Sequence, residues 1–310
     1  MTVLPADADG IARAVACLRA GGLVALPTET VYGLAADAGN AAAVARIYVA
    51  KGRPQFNPLI CHIAQPGQIE AYAEADQTAR ALAQAFWPGP LTLVLPAREP
   101  SPVSPLARAG LATLALRCPA HPVAQAVLEV FGGALVAPSA NASGTLSPTS
   151  AAHVAASLGD RVDLVLDAGP TSRGLESTIV RVEPGRLVLL RPGPITPEAL
   201  ASASGLPVLA AKGEGVTSPG QLASHYAPRQ PVRLDVTQPQ PDAFWIGFGA
   251  WSGDLSLSES GDLVEAASRL FEALHRAQAS DRPVIAVAPI PETGLGIAIN
   301  DRLRRAAAAR

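Results

Sequence analysis

Two short polar segments, far apart in this chain, carry the groups best suited to chemistry: residues 51–54, Lys-Gly-Arg-Pro, and residues 139–141, Ser-Ala-Asn. Only two of the 24 basic residues are lysine, Lys51 and Lys212, so an ammonium group beside Gly and Pro stands out. An ammonium is a compact point charge, whereas a guanidinium is a planar fork. In an extended segment Lys51 and Arg53 would project to the same side. The pair predicts a clamp for a polyanion such as a triphosphate, with a solvated turn as the alternative.

Three further segments place polar groups at the ends of apolar stretches. Residues 27–33 bring hydroxyl groups, a carboxylate and an aromatic ring into one turn, although Thr28 or Thr30 could instead cap a following helix. His62 could bind a ligand or be a hydrogen-bonded residue of the core. Arg117 follows an apolar strand, where a guanidinium usually meets a carboxylate or a phosphate. The partner of Arg117 could equally be a structural Asp or Glu.

The second half of the first unit supplies more hydrogen-bonding groups. Ser139 and Asn141 alternate with an alanine, so we expect both on one face at a strand end, where they could hold a phosphate or a ribose. Ser177 adds a hydroxyl group and Arg191 another guanidinium. The chain has neither a P-loop nor a dinucleotide-binding glycine motif, so the standard nucleotide-binding patterns do not apply. The order of residues assigns no Ser-His-Asp or Cys-His nucleophile.

The elements that position these residues alternate between strands and helices. Strands are predicted near residues 23–27, 59–63, 91–95, 113–117, 135–137 and 163–166, with a hairpin over 178–190 and helices between most of them. This pattern predicts an α/β fold with a twisted mixed sheet, whose strand ends hold the ligand. We place this first domain at residues 1–204. A Gly- and Pro-rich linker at 205–231, which could act as a lid, leads to a smaller α/β domain at 232–310.

Composition limits the class of protein. A chain of 310 residues with 49% hydrophobic and 16% charged residues predicts a globular protein with a large core. A net charge of −2 argues against a broad basic surface for nucleic acid. Cys17, Cys61 and Cys118 have no metal-ligand spacing and form no evident disulfide framework. With no signal peptide and no apolar run long enough for a bilayer, we expect a cytoplasmic protein without membrane contact.

Six motifs, taken together and in order, resemble the YrdC-like threonylcarbamoyl-adenylate synthases. They are residues 27–34 (Pro-Thr-Glu-Thr-Val-Tyr-Gly-Leu), 51–54, 57–59 (Asn-Pro-Leu), 87–92 (Trp-Pro-Gly-Pro-Leu-Thr), 138–144 (Pro-Ser-Ala-Asn-Ala-Ser-Gly) and 176–178 (Glu-Ser-Thr). The resemblance covers about residues 5–200. Residues 218–220 (Ser-Pro-Gly) and 225–228 (His-Tyr-Ala-Pro), together with the second unit, resemble the longer two-domain form, whose second domain is expected to be Rossmann-like.

The resemblance implies an enzyme that joins L-threonine, bicarbonate or CO2, and ATP into L-threonylcarbamoyl-AMP and releases pyrophosphate. Partner proteins would then transfer the threonylcarbamoyl group to tRNA, with only weak RNA contact by this chain. It implies Mg2+ accompanying ATP and no metal held by the protein's own ligands. The implied threonine-binding residues are Thr30, His62, Arg117 and Ser177. The implied ATP-binding residues are Lys51, Arg53, Asn57, Thr113, Ser139, Asn141, Ser147, Arg191 and Tyr226, with Lys51 and Arg53 also stabilising the departing pyrophosphate.

Two other functions stay open at this point. A concave first domain could bind double-stranded RNA, which the low net charge disfavours and a steep salt dependence of binding would support. A related carbamoyl-transfer enzyme could use carbamoyl phosphate, but such domains usually sit in larger chains with zinc-finger-like cysteine pairs, which this sequence lacks.

Overall fold

A computed structural model describes residues 1–54, 57–211, 225–238 and 241–308. The α-helices are α1 Ala8–Arg19, α2 Ala41–Lys51, α3 Ile69–Tyr72, α4 Gln77–Phe86, α5 Pro122–Phe131, α6 Ala151–Leu158, α7 Pro197–Ser204, α8 Leu263–Gln278 and α9 Leu295–Ala307. The strands are β1 Thr2–Pro5, β2 Val24–Leu26, β3 Gly33–Asp37, β4 Ile60–His62, β5 Leu91–Pro96, β6 Thr113–Arg117, β7 Leu135–Val136, β8 Leu164–Asp167, β9 Thr178–Glu183, β10 Arg186–Arg191, β11 Val208–Ala210, β12 Val232–Arg233, β13 Ala243–Gly247, β14 Leu255–Ser256 and β15 Val284–Val287.

The first unit is built on one mixed sheet of 11 strands in the order β1-β8-β2-β3-β7-β4-β6-β5-β9-β10-β11. Its parallel pairs include β4 with β6 and β5 with β9, whereas β9 and β10 form the predicted antiparallel hairpin. Because side chains alternate along a strand, Leu114 and Leu116 of β6 join the main core while Thr113, Ala115 and Arg117 share the opposite face. The predicted α/β fold with a mixed sheet is confirmed.

The sequence pattern missed strands β1 and β3. β3 follows residues 27–32, where a helix was the alternative reading, and its buried Ala35 and Ala36 fit tightly between β2 and β7. Thr28 caps no helix. Its Oγ accepts the N–H groups of Thr30 and Val31, both at 3.2 Å, and so closes the turn that leads into the strand.

The structure describes the two ends of the predicted linker, residues 205–211 and 225–231. Its first part includes β11, which pairs in parallel with β10 and extends the large sheet. Residues 212–224, the middle of the predicted lid, lie outside the described residues, and Lys212 is among them. The chain is described again from His225, where His225 and Tyr226 are both buried.

The second unit is a parallel sheet in the order β12-β15-β13-β14, with α8 and α9 contributing to its core. This arrangement confirms the predicted smaller Rossmann-like α/β unit. Its apolar core also includes Val31, Leu146, Leu175 and Tyr226 from the preceding part of the chain, so the two units share a core. None of the helices in the described ranges is both long and apolar enough to cross a membrane.

Candidate active site

One pocket opens where several strands of the large sheet end. Parallel pairing sets His62, the last residue of β4, beside Arg117, the last residue of β6. Arg191 ends β10, and Ser177 immediately precedes β9. The predicted residues that line the pocket are Thr30, Arg53, His62, Arg117, Ser139, Ser177, Arg191 and Tyr226. Residues from distant parts of the sequence therefore meet at the sheet edge where α/β folds place ligands.

Arg117 has a structural carboxylate partner, one of the alternatives that the sequence left open. Its Nη2 donates to Glu29 Oε1 at 2.6 Å and its Nη1 to Thr30 Oγ1 at 3.0 Å. The other oxygen of Glu29 accepts the N–H of Ala120 at 3.1 Å. Burial opposes ionisation of Glu29, but the charge and hydrogen bond of Arg117 outweigh it and hold the pKa of Glu29 below its usual value. Arg117 and Glu29 thus enter the pocket wall as a charge-neutral pair.

His62 is buried beside this pair. Its Nδ1 lies 3.2 Å from the carbonyl oxygen of Ile60, and burial is the main cause that lowers the pKa of His62 to about 3, with Arg117 adding to the effect. The imidazole is therefore neutral near pH 7. It adds a polar group but no charge to this part of the pocket.

The geometry of Lys51 and Arg53 differs from the sequence prediction. Lys51 is the last residue of α2 rather than part of an extended segment, because Gly52 adopts the left-handed conformation (φ 60°) that ends the helix. The Lys51 ammonium donates to the backbone oxygens of Ser139 and Asn141 at 2.5 and 2.6 Å. It therefore lies directly behind Ser139 and joins the two polar segments that the sequence singled out.

Arg53 reaches the pocket wall itself. Its Nη2 donates to Asn57 Oδ1 at 2.6 Å and to the carbonyl oxygen of Pro58 at 2.9 Å. Burial lowers the pKa of Arg53 to about 10 and holds the pKa of Lys51 well below its usual range. Among the described residues, these two cations contact carbonyl and amide oxygens but no carboxylate. Because these two buried cations have no carboxylate partner among the described residues, this part of the pocket should bind an anion favourably.

Ser177 and Arg191 both line the pocket and are hydrogen-bonded to each other. Arg191 donates through Nε to the backbone oxygen of Ser177 and through Nη2 to its hydroxyl oxygen, both at 3.0 Å. The hydroxyl group of Thr92 lies 2.7 Å from the same Ser177 oxygen. Burial lowers the pKa of Arg191, with the nearby Arg302 and Arg117 charges adding to the effect.

The remaining predicted residues stand at different distances from the pocket. Asn57 holds Arg53, and Ser147 hydrogen-bonds Glu176, so both support residues of the wall. Asn141 donates to the backbone oxygen of Thr145 at 2.8 Å and so fixes the turn around Lys51. Thr113 shares a strand face with Arg117 but lies at the other end of β6, away from the pocket.

Three residues in or beside the site were absent from the sequence prediction: Glu29, Glu176 and Arg302. Glu29 and Glu176 lie inside motifs that the sequence analysis quoted, but their arginine partners are 88 and 126 positions away, so local spacing does not show their role as counter-ions. His225 also lines the pocket, next to Tyr226. Arg302 gave no signal, because it is one of several arginines in the helix α9.

The donor set of the site suits an anion better than a metal ion. In the described part of the chain no three His, Cys, Asp or Glu side chains are grouped to hold a metal. The two carboxylates near the pocket, Glu29 and Glu176, are each engaged by an arginine.

Comparisons with known proteins agree along almost the whole chain. Residues 16–193 match a family described as "Telomere recombination", and residues 195–308 match one described as "Threonylcarbamoyl-AMP synthase, C-terminal domain". The threonylcarbamoyl-AMP synthase of Bacillus subtilis is 41% identical, covering 97% of this chain and 93% of the relative. The enzyme of the same name from Pyrococcus abyssi is 40% identical over 94% of this chain and 92% of the relative. A crystal structure of P. abyssi Sua5 complexed with L-threonine has a TM-score of 0.89 and 37% identity, covering 99% of this chain and 96% of that one.

Proposed function

This chain belongs to the threonylcarbamoyl-AMP synthase family, and we propose that it converts L-threonine, bicarbonate or CO2, and ATP into L-threonylcarbamoyl-AMP and pyrophosphate. The observation that carries the proposal is the division of one pocket into two electrostatic parts. We call Glu29, Thr30, His62 and Arg117 the threonine side. We call Lys51, Arg53, Ser139 and Arg191 the nucleotide side, and Ser177 lies between the two.

The threonine side suits an amino acid. Arg117 keeps N–H groups beyond those bound to Glu29 and Thr30, and a guanidinium fork can hold a carboxylate through parallel hydrogen bonds. The hydroxyl groups of Thr30 and Ser177 each have two hydrogen-bond partners and could form one more, with a substrate hydroxyl. Val31 and Ile60 add apolar surface to the lining. The P. abyssi relative crystallised with L-threonine supports this choice of amino acid.

The nucleotide side suits a polyphosphate. Lys51 and Arg53 are buried without a carboxylate partner among the described residues, so an anion would replace weak carbonyl partners with full negative charge. Ser139, whose backbone oxygen accepts from Lys51, lines the pocket and could donate its hydroxyl hydrogen to a phosphate oxygen. Tyr226, which lines the pocket, would cover the nucleotide and help exclude water.

The chemistry then requires two bond-forming steps. The threonine amine, once deprotonated, forms a C–N bond with CO2 and gives a carbamate. A carbamate oxygen attacks the α-phosphorus of ATP in line, and the P–O bond to pyrophosphate breaks. No enzyme nucleophile is needed. The side chains described above would hold both substrates in one pocket and neutralise the departing pyrophosphate.

Mg2+ belongs to this proposal as a companion of ATP. When bound with ATP, it would offset negative charge that develops on the leaving pyrophosphate. Lys51 and Arg53 on the nucleotide side would add positive charge next to such a metal–nucleotide complex. The product would pass to partner proteins that modify tRNA.

The test is pyrophosphate release by the full chain with Mg2+, ATP, bicarbonate and L-threonine, with detection of threonylcarbamoyl-AMP by mass spectrometry. We expect both signals to require threonine and bicarbonate together. A parallel reaction with carbamoyl phosphate in place of bicarbonate separates the carbamoyl-transfer alternative. Pyrophosphate release that does not depend on threonine, or product formed from carbamoyl phosphate alone, would overturn the proposal.

A further inference from the structure

The loop that precedes Ser177 is held by the second unit. Gly174 (φ 68°) comes so close to α8 that a Cβ there would lie 2.4 Å from the carbonyl oxygen of Ala267. Leu175 is fully buried and belongs to the same apolar core as Leu270 and Phe271 of α8. The chain then enters the pocket wall at Glu176 and Ser177. The second unit therefore fixes the position of a loop of the first unit that lines the pocket.

Glu176 is held by a residue from the end of the chain. Arg302 of α9, whose side chain is 0% exposed, donates through Nε to Glu176 Oε2 at 2.8 Å. The other Glu176 oxygen accepts a hydrogen bond from Ser147. Burial opposes ionisation of Glu176, but Arg302 and then Arg191 outweigh it and lower the pKa of Glu176. The carboxylate thus faces the pocket as a fully neutralised group.

Arg302 has a second contact with the pocket wall. Its guanidinium lies over the Tyr226 ring, 5.2 Å from the ring centroid, and Tyr226 also packs against Phe271 at 5.6 Å between centroids. Asp301 accepts from Arg302 Nη1 at 2.7 Å. Nη2 has no hydrogen-bond acceptor among the described residues. One buried arginine of the second unit therefore contacts two residues that line the pocket, while lining none of it itself.

We propose that Arg302 is a positioning residue for the nucleotide side of the pocket, supplied by the second unit. It neutralises Glu176, which would otherwise set a negative charge beside the site for a polyphosphate. It also holds the Tyr226 ring against that site. This inference rests on the proposed function, since it assumes that ATP occupies the nucleotide side. It gives the second unit a defined part in substrate binding.

The primary test replaces Arg302 with methionine, which keeps the unbranched stem of the side chain as far as the position of Nε but removes the charged guanidinium group. The matched control is Arg304→Met on the same helix, because Arg304 pairs with Glu292 on the surface. In R302M we expect the KM for ATP to rise about tenfold or more, with the KM for threonine changed much less. R304M should behave as wild type. Equal ATP KM values in R302M and wild type would overturn the proposal.

A second variant separates charge from packing. In E176Q/R302M the glutamine still accepts from Ser147 but carries no charge, so the ATP KM should return most of the way to the value of an E176Q single variant. A purely structural role predicts that R302M and E176Q/R302M are equally impaired, and that result would overturn the proposal. If R302M does not fold, R302K and R302Q are compared instead, because lysine keeps the positive charge beside Glu176 and glutamine does not. A higher ATP KM in R302Q than in R302K supports the proposal, and equal KM values in the two variants would overturn it.

The pH profile gives a readout that lost packing would not produce. Without Arg302, burial should raise the pKa of Glu176, and protonation would remove the repulsive charge. The ratio of the ATP KM of R302M to that of wild type should therefore fall as the pH is lowered from about 8 to about 6. In E176Q/R302M the same ratio should not change with pH. The other groups around Glu176 are Arg191, Asp301, His225 and Tyr226, and all remain in both variants. If wild type itself releases no threonine-dependent pyrophosphate, the proposed function fails rather than this inference.

Discussion

The two sides of the pocket bury positive charge in opposite ways. On the threonine side, Arg117 is matched by Glu29 at 2.6 Å and the neighbouring His62 is neutral. On the nucleotide side, Lys51 and Arg53 meet carbonyl and amide oxygens and, among the described residues, no carboxylate. Basic residues therefore form a neutral part of the pocket at Arg117 and a positively charged part at Lys51 and Arg53.

This difference separates a contribution to stability from a contribution to binding. A buried ion pair is costly to break, because either partner alone becomes an uncompensated buried charge. A buried cation that lacks an acid already carries its desolvation cost in the free protein, so an arriving anion relieves it. We expect changes on the threonine side to affect folding strongly, and changes on the nucleotide side to affect mainly the reaction with ATP.

The largest effect should follow from Glu29→Gln. Glutamine keeps the shape of the side chain but leaves Arg117 buried without a counter-charge, so the free energy of unfolding should fall by about 3–5 kcal/mol. Denaturant titration measures it. The matched control is Glu70→Gln, which breaks an exposed pair with Arg80 and should cost at most about 1 kcal/mol. Equal losses in the two variants would remove the distinction between the sides.

Lys51→Met should show the opposite pattern. Loss of a charge-assisted contact of about 1.5–3 kcal/mol corresponds to roughly a 10–150-fold slower threonine-dependent pyrophosphate release. The free energy of unfolding should change by less than about 1 kcal/mol, because relief of the ammonium desolvation offsets the lost hydrogen bonds. Arg46→Met, on the same helix and paired with Asp163 at the surface, is the control. Near-wild-type pyrophosphate release in K51M would refute the polyphosphate role of Lys51.

The choice of amino acid substrate tests the hydroxyl groups of Thr30 and Ser177 and the apolar residues beside them. The methyl group of threonine should favour it over serine by about 1–3 kcal/mol, which is roughly 10–200-fold in kcat/KM. Valine lacks the hydroxyl group and should be rejected more strongly if Thr30 or Ser177 binds that group. The measurement is kcat/KM for each amino acid at saturating ATP and bicarbonate. Equal turnover of valine and threonine would contradict the assignment.

Arg117→Lys should affect folding less than Glu29→Gln does, and it should affect threonine selectively. The ammonium preserves the charge opposite Glu29 but cannot form the parallel hydrogen bonds of a guanidinium fork. We expect the KM for threonine to rise about tenfold, equivalent to about 1.4 kcal/mol, while the KM for ATP changes little. A collapse of ATP binding with threonine binding preserved would move Arg117 to the nucleotide side.

Most of the fold could be predicted from the sequence, because the strands that meet at the pocket are continuous apolar runs. β4 and β6 end in the polar residues His62 and Arg117, and the amphipathic helices around them have clear spacing. β3 was missed because Gly33 and the alanines that follow it carry little strand preference. These small residues fit because β3 packs closely between β2 and β7, and the local sequence pattern does not show that packing.

The site was predictable only where its members lie in motifs. Lys51 was identified but given the wrong geometry, since the helix continues one residue further than the Gly52-Arg53-Pro54 pattern suggested. Arg117 was identified with its structural partner left open, and only the three-dimensional fold brings Glu29 to it. Arg302 could not be identified, because a contact between residues 126 positions apart leaves no trace in local spacing.

The shared core around Leu175 bears on how the protein unfolds. Val31, Leu146, Leu175 and Tyr226 share one apolar cluster with α8 and α9, so separating the units would expose these side chains to water. Such coupling predicts a single calorimetric transition in which the van't Hoff and calorimetric enthalpies agree. Cutting the chain after residue 204 would then yield a first unit with an uncovered apolar patch, prone to self-association rather than simply less active.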